Sequence, residues 1–522
     1  MKNNISIKKT LLAMCSSIFL FGAATIGAEA KRDFPFTERY NGPIWHKTLI
    51  RPWVRHGSYQ SSTLYSKRQN QTKLNNTLKE YLRYWAEEYV IREANNQYRV
   101  SMGPWGVTFD WDDSKKEFWK YTTSEGMGYG MLIMALAGDE FLHVGNHQGS
   151  TRSIKSQLIF DGMWEFVKAN PTNNKTGNAP YLMDWEWGPN DPTGNENNDD
   201  SSAFDGDADI AMALYMAHRQ WGSNGNINYL NQAKLLIAKI KSRTIGPDSK
   251  LPMVGNWVKP NNTSKDCAEG IMFDQHAVRT SDIMLSNFRA FWKITGDSDW
   301  NKTYKNTYKA IRDMQKTQNS KALVPDMLRV STNNSGNYTG SHLNVDSSDP
   351  FCDGSESNTN DYSYNASRVP WRLGLDYIMR ASNPVSRYQY YAGFRASRIG
   401  AFIIKKTKHD ANAIDAINAT RNIKTGEIIE GADYDDRSFQ APYAVGVSIL
   451  LSKKWVVTRA HRQVMLNDLW EVISKQHTGE NRSYFAETLS LLSMFTITGN
   501  FWDPTKDYYT VVCGVDSVWA CN

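Results

Sequence analysis

Along most of this chain apolar side chains recur every three to four positions, with polar and charged residues between them. That spacing gathers the apolar set on one face of a helix. It predicts helices over 71–94, 124–141, 150–169, 203–221, 226–243, 280–295, 299–317, 368–382, 386–405, 439–453, 458–474 and 483–498. The two-residue alternation expected of strands is weak. Four of the helices end in Gly138, Gly222, Gly296 and Gly499, each placed for a left-handed C-cap. Segments 291–297 and 494–500 read as weak copies of one unit, Phe-Trp-Lys-Ile-Thr-Gly-Asp and Met-Phe-Thr-Ile-Thr-Gly-Asn, which points to a helix-hairpin repeat.

Twelve helices pair into six hairpins. Glu125, Asp205, Asp282, Arg368 with Trp371, Phe439 and Tyr484 open the even-numbered helices, where packing alone would not ask for them. In a ring of hairpins alternate helices run parallel, so these openings share one face. The pattern predicts an all-α fold, an (α/α)6 barrel with a cleft at the N-terminal ends of its inner helices. Three long connections, 171–202, 244–279 and 318–367, each lead from an outer helix to the next inner one and land on that face. Loops of this length in a compact domain are commonly functional.

The first thirty residues break the pattern. Lys2, Lys8 and Lys9 precede an apolar run from Leu11 to Ala24, and Ala28-Glu29-Ala30 supplies small residues for cleavage. This reads as a signal peptide over 1–30, with export to the periplasm or the medium. Met14 before Cys15 does not suit lipoprotein processing. An extension (31–70), a catalytic domain (71–502) and a tail (503–522) follow. No later stretch is apolar enough to predict a membrane span. The net charge of +6 is spread along the chain. Without a Lys/Arg-rich block, nucleic acid is not an expected partner. Beyond the leader stand four cysteines, an even number that suits disulfides in an exported chain. Cys513 and Cys521 are close enough to close a small loop, leaving Cys267 with Cys352. The 18 Trp and 26 Tyr are many for a soluble protein; much of this set must be core, but such rings also offer flat faces on which sugar rings stack.

Two segments carry the chemistry. Ser124-Glu125-Gly126-Met127-Gly128-Tyr129-Gly130 sets a carboxylate among glycines at the head of an apolar helix. Each glycine costs that helix roughly 1 kcal/mol against alanine. Either close approach of a ligand requires the bare backbone, or Glu125 is simply an acidic first-turn residue. The second segment, Ala203 to Ala211, spaces Asp205, Asp207 and Asp209 like a calcium loop. Ile210 and Met216 stand where such a loop needs glycine and a bidentate acid, so no metal is expected. A charged Asp205 beside Glu125 would raise the pKa of Glu125 and keep it protonated for general-acid work.

The segment 124–130 resembles glycoside hydrolase family 8, which includes endoglucanases, lichenases, chitosanases and some xylanases. Ala203 to Trp221 resembles a second block of that family, with Phe204 in place of Ser or Thr. Tyr362-Ser363-Tyr364-Asn365-Ala366-Ser367-Arg368-Val369-Pro370-Trp371-Arg372 resembles a third. The resemblance spans roughly residues 70–502 and implies the same barrel and inversion at the anomeric carbon. It implies Glu125 as general acid and Asp205 as the residue that stabilises the sugar at the cleavage point. Trp185, Trp257, Asp282, Asn365, Arg368 and Tyr484 become substrate-binding residues. Where one branch of the family has an aspartate base, this chain has Asn365. The resemblance then implies the other branch, whose base lies on an inserted loop. Here that loop is 331–361, with Asp346, Asp349, Asp353, Glu356 and Asp361, of which Asp353 and Glu356 lie nearest the expected position.

The expectation is a monomeric, cofactor-free, secreted inverting endo-hydrolase of a β-1,4-linked polysaccharide. Chitosan and β-glucan stand level as substrates and xylan behind. Acidic residues of the first cleft loop, among them Asp184 and Glu186, would suit cationic chitosan. The alternative is an impaired glycan-binding protein, given Asn365. A lyase would need a Tyr or His base beside an Arg, and His276 and His342 are too isolated to supply one.

Overall fold

The computed structural model describes residues 71–102, 122–146, 151–172, 175, 177–187, 201–262, 273–317, 322–330, 361–379, 387–407, 417, 419–432, 434–451, 457–477 and 483–505. The expected leader, the 31–70 extension, all four later cysteines, Asp353 and Glu356 lie outside these residues.

Twelve helices longer than ten residues occupy the described chain, and they fall on the predicted segments. They are α1 Gln71–Tyr89, α2 Ser124–Ala137, α3 Ser156–Ala169, α4 Phe204–Trp221, α5 Tyr229–Thr244, α6 Leu285–Thr295, α7 Ser298–Thr317, α8 Val369–Met379, α9 Arg387–Lys406, α10 Arg437–Val447, α11 Arg459–Ile473 and α12 Tyr484–Thr498. The even helices form an inner ring. α2 packs on α4, α4 on α6, α6 on α8, α8 on α10, α10 on α12, and α12 returns to α2. The odd helices lie outside, with α3 against α2, α5 against α4, α7 against α6, α9 against α8, α11 against α10 and α1 against α12. This is the (α/α)6 barrel. The two rings explain the two sequence patterns. An inner helix meets protein on all sides, and every residue of α2 except Glu125 is buried. An outer helix buries one stripe, as α5 does with Ala233, Leu236, Ile237 and Ile240.

Helix starts follow their caps. The Thr123 side chain accepts from Gly126 N, Asn228 from Asn231 N and Ser483 from Ala486 N. Gly296 and Gly499 adopt the left-handed cap, at φ 72° and 79°. Gly138 and Gly222 also have positive φ, but their ψ of −113° and −174° turns the chain away instead. The two true left-handed caps close the two copies of the repeated unit.

The predicted helices 71–94, 124–141 and 150–169 run into a small sheet that periodicity did not indicate. Strands β1 Val90–Arg92, β2 Tyr98–Val100, β4 Phe141–Asn146 and β5 Arg152–Lys155 stand in the order β2-β1-β4-β5. Each strand is only three to six residues long, too short to set up a visible alternation. Two further pairs bear on the cleft. β3 Thr122–Thr123 pairs with β6 Glu186–Trp187, and β7 Ala277–Arg279 pairs with β8 Met327–Arg329. Packing continues past residue 502. Asp503 is buried, and Arg289 of α6 donates to it at 2.9 Å. Among the described residues no helix is long and apolar enough to cross a membrane.

Candidate active site

Glu125 is the second residue of α2 and Asp205 the second of α4. The two helix starts meet closely because of glycines. A Cβ on Gly206 would lie 2.4 Å from the carbonyl carbon of Ser124 and 2.7 Å from Glu125 N. One on Gly128 would lie 2.8 Å from the Asp209 Cβ, and one on Gly130 would strike Val100. The glycines of this segment therefore make room for other protein elements. Of the two readings offered for this segment, the ligand one is not needed at Gly128 and Gly130, where α4, β2 and α3 already fill the space.

Arg368 joins the two carboxylates. Its Nη1 donates to Glu125 and, at 3.1 Å, to Asp205 Oδ2, with the Tyr129 hydroxyl at 3.4 Å. Its Nη2 donates to Asn365 Oδ1 at 2.7 Å. The Glu125 side chain keeps 20% of its exposure, whereas those of Arg368 and Asp205 keep 5% and 3%. Glu125 is thus the member of the group that a substrate can reach. Burial pushes the Glu125 carboxyl up to about 6; Arg368 opposes this and the negative Asp205 adds to it. Burial also acts upward on Asp205. There Arg368, Arg279, Arg372 and the Gly206 N–H outweigh it and hold the carboxyl below its usual range. Two adjacent carboxyls are thereby driven apart, one toward the protonated and one toward the ionised form.

The other two aspartates of the triplet turn elsewhere. Asp207 accepts from Met183 N at 3.0 Å and ties down the loop before α4. Asp209 receives Arg372 through two bonds of 3.1 and 2.7 Å and Asn287 at 3.0 Å. Among the described residues there is no group of His, Cys, Asp and Glu that could hold a metal ion.

The remaining predicted residues gather around this group to different degrees. The Tyr484 hydroxyl is buried without a hydrogen-bond partner among the described residues, 3.0 Å from where a Cβ on Gly126 would stand. Asp282 ends the turn Thr280–Asp282 and is fully buried. Burial raises its carboxyl to about 7 against Arg279, with Asp205 pushing the same way. Its Oδ1 accepts from Ser281 Oγ at 3.1 Å, and its Oδ2 has no hydrogen-bond partner among the described residues. Trp185 sits beside Glu125 through its backbone, its carbonyl accepting from Ser124 N at 3.0 Å. Trp257 is 44% exposed and stands edge-on to Phe273 on the loop that meets the start of α4. Phe204 N donates to Val254 O of that same loop at 3.1 Å.

Sequence reasoning missed four contributors. Arg279, at the end of β7, acts on Glu125, Asp205 and Asp282 together. Phe485 lies 5.6 Å beneath the Arg368 guanidinium. Tyr364 and Tyr434 extend from it as exposed rings joined by their hydroxyls at 2.9 Å. Position beside a motif could have flagged Tyr364 and Phe485. Nothing local marks Arg279 or Tyr434.

Comparison with known proteins follows the same line. The sequence model for glycosyl hydrolases family 8 matches residues 111–407. A β-glucanase from Niallia circulans is 28% identical over 87% of this chain and 91% of its own length. An endoglucanase from Bacillus sp. (strain KSM-330) is 28% identical over 94% of this chain and 87% of its own. Among solved structures, a β-1,3-1,4-glucanase from Paenibacillus sp. X4 superposes with a TM-score of 0.65 at 24% identity, covering 91% of this chain and 99% of that one. A cold-adapted family 8 xylanase does so at 0.57 and 17%, covering 88% and 98%. With its barrel shared across nearly the whole chain and the family pattern matched over more than half of it, this protein belongs to glycosyl hydrolases family 8.

Proposed function

We propose that this glycoside hydrolase is a secreted, inverting, endo-acting enzyme on β-1,4-linked glucan, with Glu125 as general acid. The observation that carries the reading is the opposed ionisation of Glu125 and Asp205 around one arginine. Protonated Glu125 gives its proton to the leaving glycosidic oxygen. Ionised Asp205, held by Arg368, stabilises positive charge developing on the sugar ring. An inverting reaction also needs a second carboxylate ~6.5–9.5 Å from the acid, with a water between. Asn365 cannot take that proton, and Asp353 or Glu356 on the inserted loop is assigned the task. The exposed Trp257 and the Tyr364–Tyr434 pair offer stacking faces for further sugar units.

Glucan is favoured by the names of the relatives, β-glucanase and endoglucanase. A second reading, chitosan, rests on the acidic first cleft loop, where half-buried Glu186 pairs with Thr123 beside the start of α2. A carboxylate there can accept from a cationic amino group. Reducing-sugar release from lichenan, carboxymethylcellulose, chitosan and xylan, run in parallel, separates the two. Fastest release from one of the glucans supports the first reading; fastest release from chitosan replaces it with the second. The base is tested by Asp353→Asn and Glu356→Gln. One should abolish turnover and the other be mild, and proton NMR of the first product should show the α anomer. Two active variants, or the β anomer first, would remove the loop base.

A further inference from the structure

Arg368 places one nitrogen on both catalytic carboxyls, so its direction matters as much as its charge. Its Nε is buried without a hydrogen-bond partner among the described residues. The guanidinium is therefore fixed at Nη1 by Glu125 and Asp205 and at Nη2 by Asn365. Asn365 is in turn fixed from behind. Its Nδ2 donates to Asp326 Oδ2 at 3.2 Å, and its own backbone N–H donates to the same oxygen at 3.1 Å. Oδ1 of Asp326 accepts from Ser363 N at 2.9 Å and Ala366 N at 2.7 Å. The Asp326 backbone is tied to the turn that carries Asp282, its carbonyl accepting from Thr280 N at 2.9 Å.

These contacts allow only one orientation of the Asn365 amide. Burial pushes the Asp326 carboxyl up to about 6, but three backbone N–H donors aim at its oxygens, so it accepts here; a guanidinium only donates, so the NH2 must face Asp326 and the oxygen must face Arg368. We infer that Asp326 and Asn365 are a positioning pair, in which Asp326 fixes the Asn365 amide and the amide fixes the direction in which Arg368 meets Glu125 and Asp205. The inference rests on the reading of Glu125 as the acid. An anchor for the chain at 363–366 would need only the three backbone N–H bonds. The fourth, to the side chain, is the one that reaches Arg368.

The charged and titratable groups facing Arg368 come from several elements. Glu125 and Tyr129 lie on α2, Asp205 on α4, Arg372 on α8, and Tyr484 on α12. Arg279 and Asp282 flank the β7 turn. Tyr362 is the titratable neighbour of Asp326. Asn365→Ala cuts the link without adding charge. Asn365→Asp sets two carboxylates against each other and draws Arg368 off Glu125.

Both Asn365 variants should stay folded and lose kcat on the order of 10-fold or more, with KM little changed. In Asn365→Asp the basic limb of the kcat pH profile should also move up, as Glu125 loses part of its cation. Asp326→Asn should lower kcat similarly, and adding Asn365→Ala to it should cost nothing more. If Asp326→Asn does not fold, the two Asn365 variants decide alone. A purely structural pair would lower Tm and leave kcat and the limb in place. Parental or higher kcat in both Asn365 variants overturns the inference, as does a double variant whose losses multiply. If Glu125→Gln is itself active, the acid assignment fails; if it is dead while the Asn365 variants are normal, only the positioning role fails.

Discussion

At the scale of residues, the chemistry depends on environment more than on identity. Glu125 and Asp205 both occupy the first turn of a helix, where the dipole favours negative charge. They differ in what surrounds them. Arg368, Arg279 and Arg372 act on both, but Asp205 is deeper and also accepts from Gly206 N, whereas Glu125 is more exposed and is pushed up by Asp205. As the proposed acid Glu125 must be protonated, which fixes the sign of the expected pH dependence. Activity should be present below its folded pKa, about 6, and be lost as pH rises through it. The basic limb of kcat/KM, which reports the free enzyme, should fall near that value. Asp282, raised to about 7, and Asp326, raised to about 6, also titrate close by, and the limb should remain in both Asp282→Asn and Asp326→Asn. A limb that disappears with either would reassign it.

At the scale of elements, the site is made by the crossing of α2 and α4. Gly206 lies at that crossing, its α-carbon against the backbone of Ser124 and Glu125. Gly206→Ala forces a methyl into backbone that cannot give way. A loss of ~1–3 kcal/mol is expected from overpacking, seen as a lower denaturation midpoint, and kcat should fall with it because Glu125 moves. Unchanged stability would show that the helices separate freely there. The crossing also marks how far the sequence could be read. Helical periodicity located the inner and outer helices, since each follows from which faces are buried. The polar residues opening the even helices located the site, since a buried helix has no other reason to carry them. The small sheet stayed hidden because its strands are a few residues long. Arg279 stayed hidden because its role comes from the pairing of β7 with β8, two segments about fifty residues apart. The glycines of 124–130 were visible, but their cause was not, because the contacts they permit are with elements elsewhere in the chain, α4, α12 and β2.

At the scale of the molecule, the ring must close for any of these helix starts to share a face. Glu487 of α12 is fully buried at the closure and accepts from Tyr84 and Tyr89 of α1, at 2.7 and 3.0 Å, and from Arg437 of α10 at 2.9 Å. Glu487→Ala leaves the Arg437 charge buried without this carboxylate and should cost ~3–5 kcal/mol in chemical denaturation. A cost within experimental error would mean that the ring is held by apolar packing alone. All of this serves one proposed event, transfer of the Glu125 proton to the glycosidic oxygen. The most direct measurement is steady-state turnover and substrate binding of Glu125→Gln, which keeps the size of the side chain and removes the proton. Expected is a folded protein that binds its polysaccharide nearly normally and turns over at least ~100-fold more slowly. A Glu125→Gln enzyme with near-parental kcat would contradict it.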